Sequence, residues 1–305
     1  MGARSPAAAE PLPERLASEA RSEAPDTAPP TVATLRRASP ASLSPVARAL
    51  DRWGVPVSGI AALALAWEVA ARSGRWTAEQ LPGPVTVLAA GAELLASGAL
   101  FVHVGASLTR FLVAYLLAAT VGVTLGLLLG WRERLWRAFD PLVQVLRPVS
   151  PIAWFPLAVL WLGIGDVPAI AIIFLASFFP ALLTTVAAVR RVDPLLLRVA
   201  RNFGSRERDI VFKVVVPAAF PQVAVGLHVA LGAAWVYLVA GEMLGARSGL
   251  GFLVMDARNF LRTDLLLFAV LVIGVIGLAL DKAIAAAERR LYRAWGAVPT
   301  REDVA

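Results

Sequence analysis

The chain has 305 residues, of which 58% are apolar and only 17% charged, with a mean hydropathy of +0.69. A soluble domain carries roughly 25% charged residues, so this composition excludes an ordinary water-coated globule and reads as an integral membrane protein. Basic residues outnumber acidic ones 29 to 22, and the lack of cysteine excludes disulfides, thiolate nucleophiles and thiolate metal sites.

The first 45 residues are rich in Ala, Pro, Ser, Glu and Arg. They contain no apolar run of the roughly 7–15 residues that form a signal-peptide core. Residues 1–52 are therefore expected to form a disordered cytoplasmic tail. Arg36-Arg37 is a poor twin-arginine signal, because the next apolar stretch starts near Val55 and is too long and too distant.

A helix needs about 20 apolar residues to cross a hydrocarbon layer of about 30 Å. Six segments qualify: 56–72, 108–130, 142–162, 168–189, 218–244 and 265–287. The first is short, and the third is interrupted by Pro148, Pro151 and Pro156. The expected fold is all-α and polytopic, with a transmembrane domain over 53–295 and a cytoplasmic tail over 296–305.

Cytoplasmic loops retain Arg and Lys. With the amino terminus inside, 18 basic residues fall on cytoplasmic segments and four (Arg75, Arg247, Arg258 and Arg262) on the other side. Both termini are then cytoplasmic, and the inner loop 190–217 is the longest and most basic.

That loop has clear helix punctuation. Asp193 suits an N-cap, Pro194 the first helical position, and Gly204 the left-handed residue after the last turn, giving a helix over 194–203. Ser205 is expected to cap a second helix that Pro217 limits before the fifth span. Leu195, Leu196, Val199 and Phe203 share one side of the first helix, which suits either an anionic lipid surface or a cytoplasmic protein partner.

The run Arg198-Val199-Ala200, then Gly204, then Val214-Val215-Val216-Pro217 resembles the cytoplasmic E-A-A…G…I-x-L-P loop of ABC importer permeases. Arg198 and Val199 stand where that pattern has Glu and Ala. The resemblance extends from Leu81-Pro82-Gly83-Pro84 to Trp295 through Asp140-Pro141-Leu142, Ala153-Trp154-Phe155-Pro156, Gly241-Glu242-Met243-Leu244 and Ser248-Gly249-Leu250-Gly251. These motifs are similar to those of permeases for aliphatic sulfonates, taurine and nitrate.

The resemblance implies a type I (MetI-like) importer fold with six transmembrane helices in the inner membrane. It also implies that Arg198, Val199, Ala200, Gly204, Val214, Val216 and Pro217 contact cytoplasmic ATPase subunits. A second permease copy and an extracytoplasmic solute-binding protein complete the expected assembly. The chain itself is expected to be non-catalytic and to carry no cofactor and no metal.

Chemistry inside the chain is sparse. Neither lysine follows a glycine, so there is no phosphate-binding loop, and energy must come from a partner. Ala114, Ala118, Gly122, Gly126 and Gly130 recur every four residues and form a smooth packing stripe. Glu68, Arg147, Glu242 and Asp281 are the ionisable residues singled out in or near spans. Glu242 suits a structural or gate role, and Trp235 is a candidate pathway residue. His103 and His228 are too separated for a metal site; a hydrogen-bonded core role is expected for His228.

Other classes are disfavoured. An ion-coupled secondary transporter commonly shows internal repeats and midplane carboxylates, and a membrane enzyme needs a polar cluster facing one cavity. Neither pattern is visible, and nothing points to nucleic acid.

Overall fold

The computed structural model describes residues 45–294. Residues 1–44 of the expected amino-terminal tail, and the expected tail 296–305, lie outside the described residues. The chain divides into two compact units at Ile60, and the described part of the first is the opening of helix α1 (Pro45–Arg72). Helix therefore begins at Pro45, inside the stretch assigned to the tail, with proline at a helix start where its missing N–H costs nothing.

The second unit continues with α2 (Pro84–Ala96), α3 (Ala99–Trp131), α4 (Glu133–Leu146), a 3-10 turn (Pro151–Trp154), α5 (Phe155–Leu162) and α6 (Asp166–Arg190). After it come α7 (Pro194–Asn202), α8 (Glu207–Ile210), a π-helical segment (Val211–Val215), α9 (Val216–Gly245), α10 (Leu250–Asn259) and α11 (Thr263–Ala294). Among the described residues, four helical stretches are long and apolar enough to cross a membrane: α3, α6, 207–245 and 263–290. A bent pair, α4 with the 3-10 turn and α5, makes a fifth if counted as one span.

Small residues are concentrated where the helices touch, beside a few large ones such as Phe111, Ile173 and Leu238. Large apolar residues such as Leu116, Leu117, Val229 and Val236 face outward, while Ala114, Ala118, Ala230 and Ala234 fill the centre. Lipid tails are as apolar as leucine, so helices associate where small residues let backbones approach. The predicted stripe serves this purpose. A Cβ on Gly122 would lie 3.0 Å from Ala181, and one on Gly130 would lie 2.8 Å from Val189.

Those contacts run in step along both helices, so α3 and α6 are parallel. The chain between them must therefore return across the same thickness. Over its length α6 spans about 36 Å at 1.5 Å per residue. Neither α4 nor α5 alone is that long, so the pair is one broken span and not a loop that exits where it entered. The span expected over 142–162 is interrupted at its prolines, but its helix starts earlier, at Glu133, and bends by 86° between Leu146 and Pro151. Pro148, Pro151 and Pro156 remove donors there and forbid a straight ladder.

The expected fifth span, 218–244, lies within the helix Val216–Gly245, but the limit placed at Pro217 is corrected. Pro217 does not end a helix. The stretch from Glu207 to Gly245 runs on as one 39-residue rod. The π-helical turn over Val211–Val215 accommodates the bond that the proline cannot make. This rod is antiparallel to α6, with Gly226 against Thr184 and Gly241 against Ala169. It is also antiparallel to α3, where Tyr115 Oη donates to the Leu227 carbonyl at 3.0 Å and Phe111 meets Trp235 edge-on at 5.4 Å.

Candidate functional site

Two polar regions sit at opposite ends of this bundle. At one end, the fourth turn of α3, the first turn of α6 and the last turn of α9 converge on Arg110. Its residue is 3% exposed in a helix that otherwise carries no charge before its C-cap. A buried guanidinium is tolerable only if all five N–H donors are satisfied.

All five are. Nε and Nη2 donate to Asp166 Oδ1 at 3.0 and 2.7 Å. Nη1 donates to Glu242 Oε1 at 2.6 Å and to the Ser248 carbonyl at 2.8 Å, and Nη2 also reaches Ser248 Oγ at 2.8 Å. Glu242 is 1% exposed, and its carboxylate also accepts from Ser107 Oγ at 2.8 and 2.9 Å.

The same network caps α10. The backbone N–H of Gly249 donates to His103 Nδ1 at 3.1 Å, that of Leu250 to Ser107 Oγ at 2.8 Å, and that of Gly251 to Glu242 Oε2 at 2.9 Å. Helix starts leave such donors unsatisfied and carry partial positive charge, so a carboxylate belongs there. Gly249 has φ +111°, and a Cβ would collide with the Glu242 carboxylate, so glycine is required. Four elements are thus tied through one arginine.

At the other end lies the loop 190–217. Asp193 accepts from the Leu195 N–H at 2.7 Å and caps α7, with Pro194 at its first position as expected. Gly204 has φ +73° and its N–H donates to Arg201 O at 2.9 Å, while the Ser205 N–H donates to Ala200 O at 3.2 Å. This paired C-terminal closure uses Ser205 for the helix behind it. The expectation that Ser205 caps the next helix is therefore corrected: Arg206 holds that position and has no side-chain cap bond. Arg201 approaches Glu207 at 3.5 Å across the turn.

Leu195, Leu196, Val199 and Phe203 are all exposed, Phe203 at 83%. Arg198 is exposed beside them, Ala200 packs inward against the Val192–Val215 cluster, and Val214, Val216 and Pro217 are half-buried where the loop enters the rod. A cavity of about 500 Å³ separates the loop from the ends of α3 and α6, lined by Arg132, Glu133, Arg190 and Arg201 among others.

The remaining candidates find structural partners. Trp235 packs against the Phe111–Ala234 core and its indole fits over Gly277 of α11. His228 bridges α9 to α11, with Nε2 2.8 Å from Asp281 and Nδ1 3.2 Å from Glu288. It is about one-third exposed, so it is hydrogen-bonded as expected but not in the core. Glu68 pairs with Arg72 one turn on, and Arg147 ends α4 on the surface. Arg110, Ser107, Asp166 and Ser248 escaped the sequence analysis. The available signal was one arginine and one serine within the apolar stretch from Ala99 to Gly130.

The described residues thus form a helical bundle with several membrane-spanning helices and a basic loop that leads into one of them. Residues 122–293 match the binding-protein-dependent transport system inner membrane component family, and the chain belongs to that family. Its function is that of the membrane permease of an ABC importer. It is 37% identical over 227 residues to a Bacillus subtilis protein assigned as the aliphatic sulfonates transport permease SsuC, covering 74% of this chain and 82% of that one. It is 36% identical over 216 residues to the taurine transport system permease TauC of Escherichia coli, covering 69% of this chain and 78% of that one. Among solved structures, a chain of the MetNI methionine ABC transporter in an inward-facing conformation is similar in fold, with TM-score 0.53 and 20% identity. That match covers 63% of this chain and 94% of the other.

Proposed function

We propose that this permease moves a small anion, with an aliphatic sulfonate first in rank and taurine or nitrate next, by alternating access driven by a separate ATPase. In this reading, α7 docks on the ATPase through Arg198, Val199, Ala200 and Gly204. Val214, Val216 and Pro217 carry its displacement into the span. Two permease copies form the pathway, an extracytoplasmic binding protein delivers solute, and the chain itself performs no hydrolysis. Both termini lie in the cytoplasm, because the loop and the end of α11 share the end of the bundle where basic residues concentrate.

The observation that carries the reading is the unbroken rod from Glu207 to Gly245. It joins the exposed loop at one end to Glu242 at the other. A displacement of α7 is therefore passed along one continuous helical stretch whose far end is clamped by Arg110 and Ser107. Glu242 serves as a gate latch and not as an anion contact, since its charge is internally compensated and would repel an anionic solute. Trp235 serves as a pivot for α9 against α3 and α11 in preference to a solute contact.

The test is Gly204→Val. A β-branched residue is a steric outlier at positive φ, so the turn between α7 and the rod must rearrange. The expected result is normal membrane insertion with loss of ATPase co-purification or of solute-stimulated ATP turnover. Unchanged assembly and turnover would count against the docking assignment. Gly204→Asn, which tolerates the left-handed region, should retain function.

A further inference from the structure

Beside the rod's π-helical turn lies a second opening of about 410 Å³, independent of the exposed face of α7. Its wall on α3 is formed by Thr124, Leu127, Leu128 and Trp131, which recur at helical spacing on one side. Its wall on the rod is Val211 and Phe212. At its loop end stand Arg132, Arg208 and the carboxylate of Glu207. A neighbouring opening shares Leu128, Trp131 and Arg132 and adds Arg134.

The rim carries a net positive charge, with Arg132 and Arg208 beside Glu207 in one opening and Arg132, Arg134 and Arg137 beside Glu133 in its neighbour. Among the described residues, Arg132, Arg134 and Arg208 make no ion pair, whereas the nearby carboxylates are engaged: Glu207 with Arg201 at 3.5 Å and Glu133 with Arg137 at 3.7 Å. The apolar walls extend from Arg132 back to Thr124, about 12 Å at 1.5 Å per residue. Trp131 sits where apolar wall meets basic rim, the depth at which tryptophan favours the membrane interface. Leu128 and Phe212 are exposed at 49% and 65% and line the opening with hydrocarbon.

We propose that this groove binds one anionic phospholipid of the cytoplasmic leaflet. The phosphate is held by Arg132 and Arg208 and an acyl chain lies along Leu128 and Phe212. Arginine forks match phosphate oxygens, and basic pockets between membrane helices on the cytoplasmic side hold anionic headgroups. A free phosphate or small anion would leave the apolar walls uncovered, and a zwitterionic lipid would leave the rim charge unmet. The bound lipid ties the end of α3 to the π-helical turn, the point where the rod enters the membrane. The proposal rests on the reading that this end of the bundle faces the cytoplasm.

The experiment uses the permease–ATPase complex purified in detergent and exposed to cardiolipin, phosphatidylglycerol or phosphatidylethanolamine, with retained lipid counted by native mass spectrometry. Wild type should retain anionic lipid over phosphatidylethanolamine, and inorganic phosphate should not displace it. Arg132→Gln with Arg208→Gln should weaken retention about thirtyfold, as expected for two interfacial arginines. Thr124→Trp, which fills the groove without changing charge, should also reduce it, and Arg75→Gln should not. Equal retention by wild type and both groove variants would overturn the proposal. So would loss of the ATPase with lipid retained, which would assign this surface to the partner protein. Because lipid retention is read apart from ATP turnover, a failure here is distinguishable from failure of the docking assignment tested by Gly204→Val.

Discussion

Arg110 and Glu242 are 132 residues apart in the chain, and their charged groups meet at 2.6 Å with both side chains withdrawn from solvent. The pair fastens the first half of α3 to the last turn of α9. A buried ion pair contributes little net stability compared with a well-packed apolar pair, but removing one partner leaves a stranded charge. The relationship is therefore informative chiefly through what its rupture costs.

Arg110→Met should destabilise the purified permease by about 3–5 kcal/mol, because Glu242 keeps its burial and loses its cation. Glu242→Gln should cost less, since the amide still bonds to Ser107 or Gly251 and Asp166 still balances Arg110. Thermal unfolding in detergent, followed by tryptophan fluorescence, ranks the two. Equal and negligible shifts would show that water already reaches the pair.

Gly249→Ala should be as damaging as Arg110→Met although it removes no contact. The backbone at φ +111° disfavours any side chain, and the added methyl points into the Glu242 carboxylate. Strain of this kind costs about 1–3 kcal/mol before the steric clash is counted. A variant that unfolds at the wild-type temperature would contradict the packing described for the α9–α10 turn.

Much of the loop was legible in the sequence because its determinants are local. Asp193, Pro194 and Gly204 act on backbone within a few residues, and the structure places a cap, a first-turn proline and a left-handed closure at those positions. The Gly122–Gly130 stripe was legible for the same reason, though its partner on α6 was not. What escaped depends on distant chain segments. Nothing near Arg110 announces Asp166, Glu242 or Ser248 as partners, and a lone arginine near a span end is easily taken for a snorkelling residue. Pro217 misled in the other direction, since its effect depends on whether a π-helical turn can absorb the missing bond.

Asp193→Ala should fray α7 without affecting the bundle. Loss of an N-cap costs about 1 kcal/mol. Hydrogen exchange at Leu195 and Leu196 should accelerate while exchange in α6 and α9 stays unchanged. Protection lost across all three helices would mean that α7 is integral to the fold and not an appended arm.

Gly126→Val should separate α3 from α6, because a Cβ there would stand 2.8 Å from Thr185 Cγ2 and 3.0 Å from the Leu182 carbonyl. Overpacking of this kind costs about 1–3 kcal/mol. Combining it with Thr185→Gly, which removes the Cβ 2.5 Å away as well as the Cγ2, should recover part of the loss. Strict additivity of the two changes would argue against direct contact.

The most direct test of the account is solute uptake by vesicles holding this permease with its ATPase and binding protein, compared with vesicles holding the permease alone. The account predicts accumulation that requires all three components and ATP, and that disappears in Gly204→Val while the protein remains inserted. Accumulation by the permease alone, driven by an ion gradient without ATP, would contradict it.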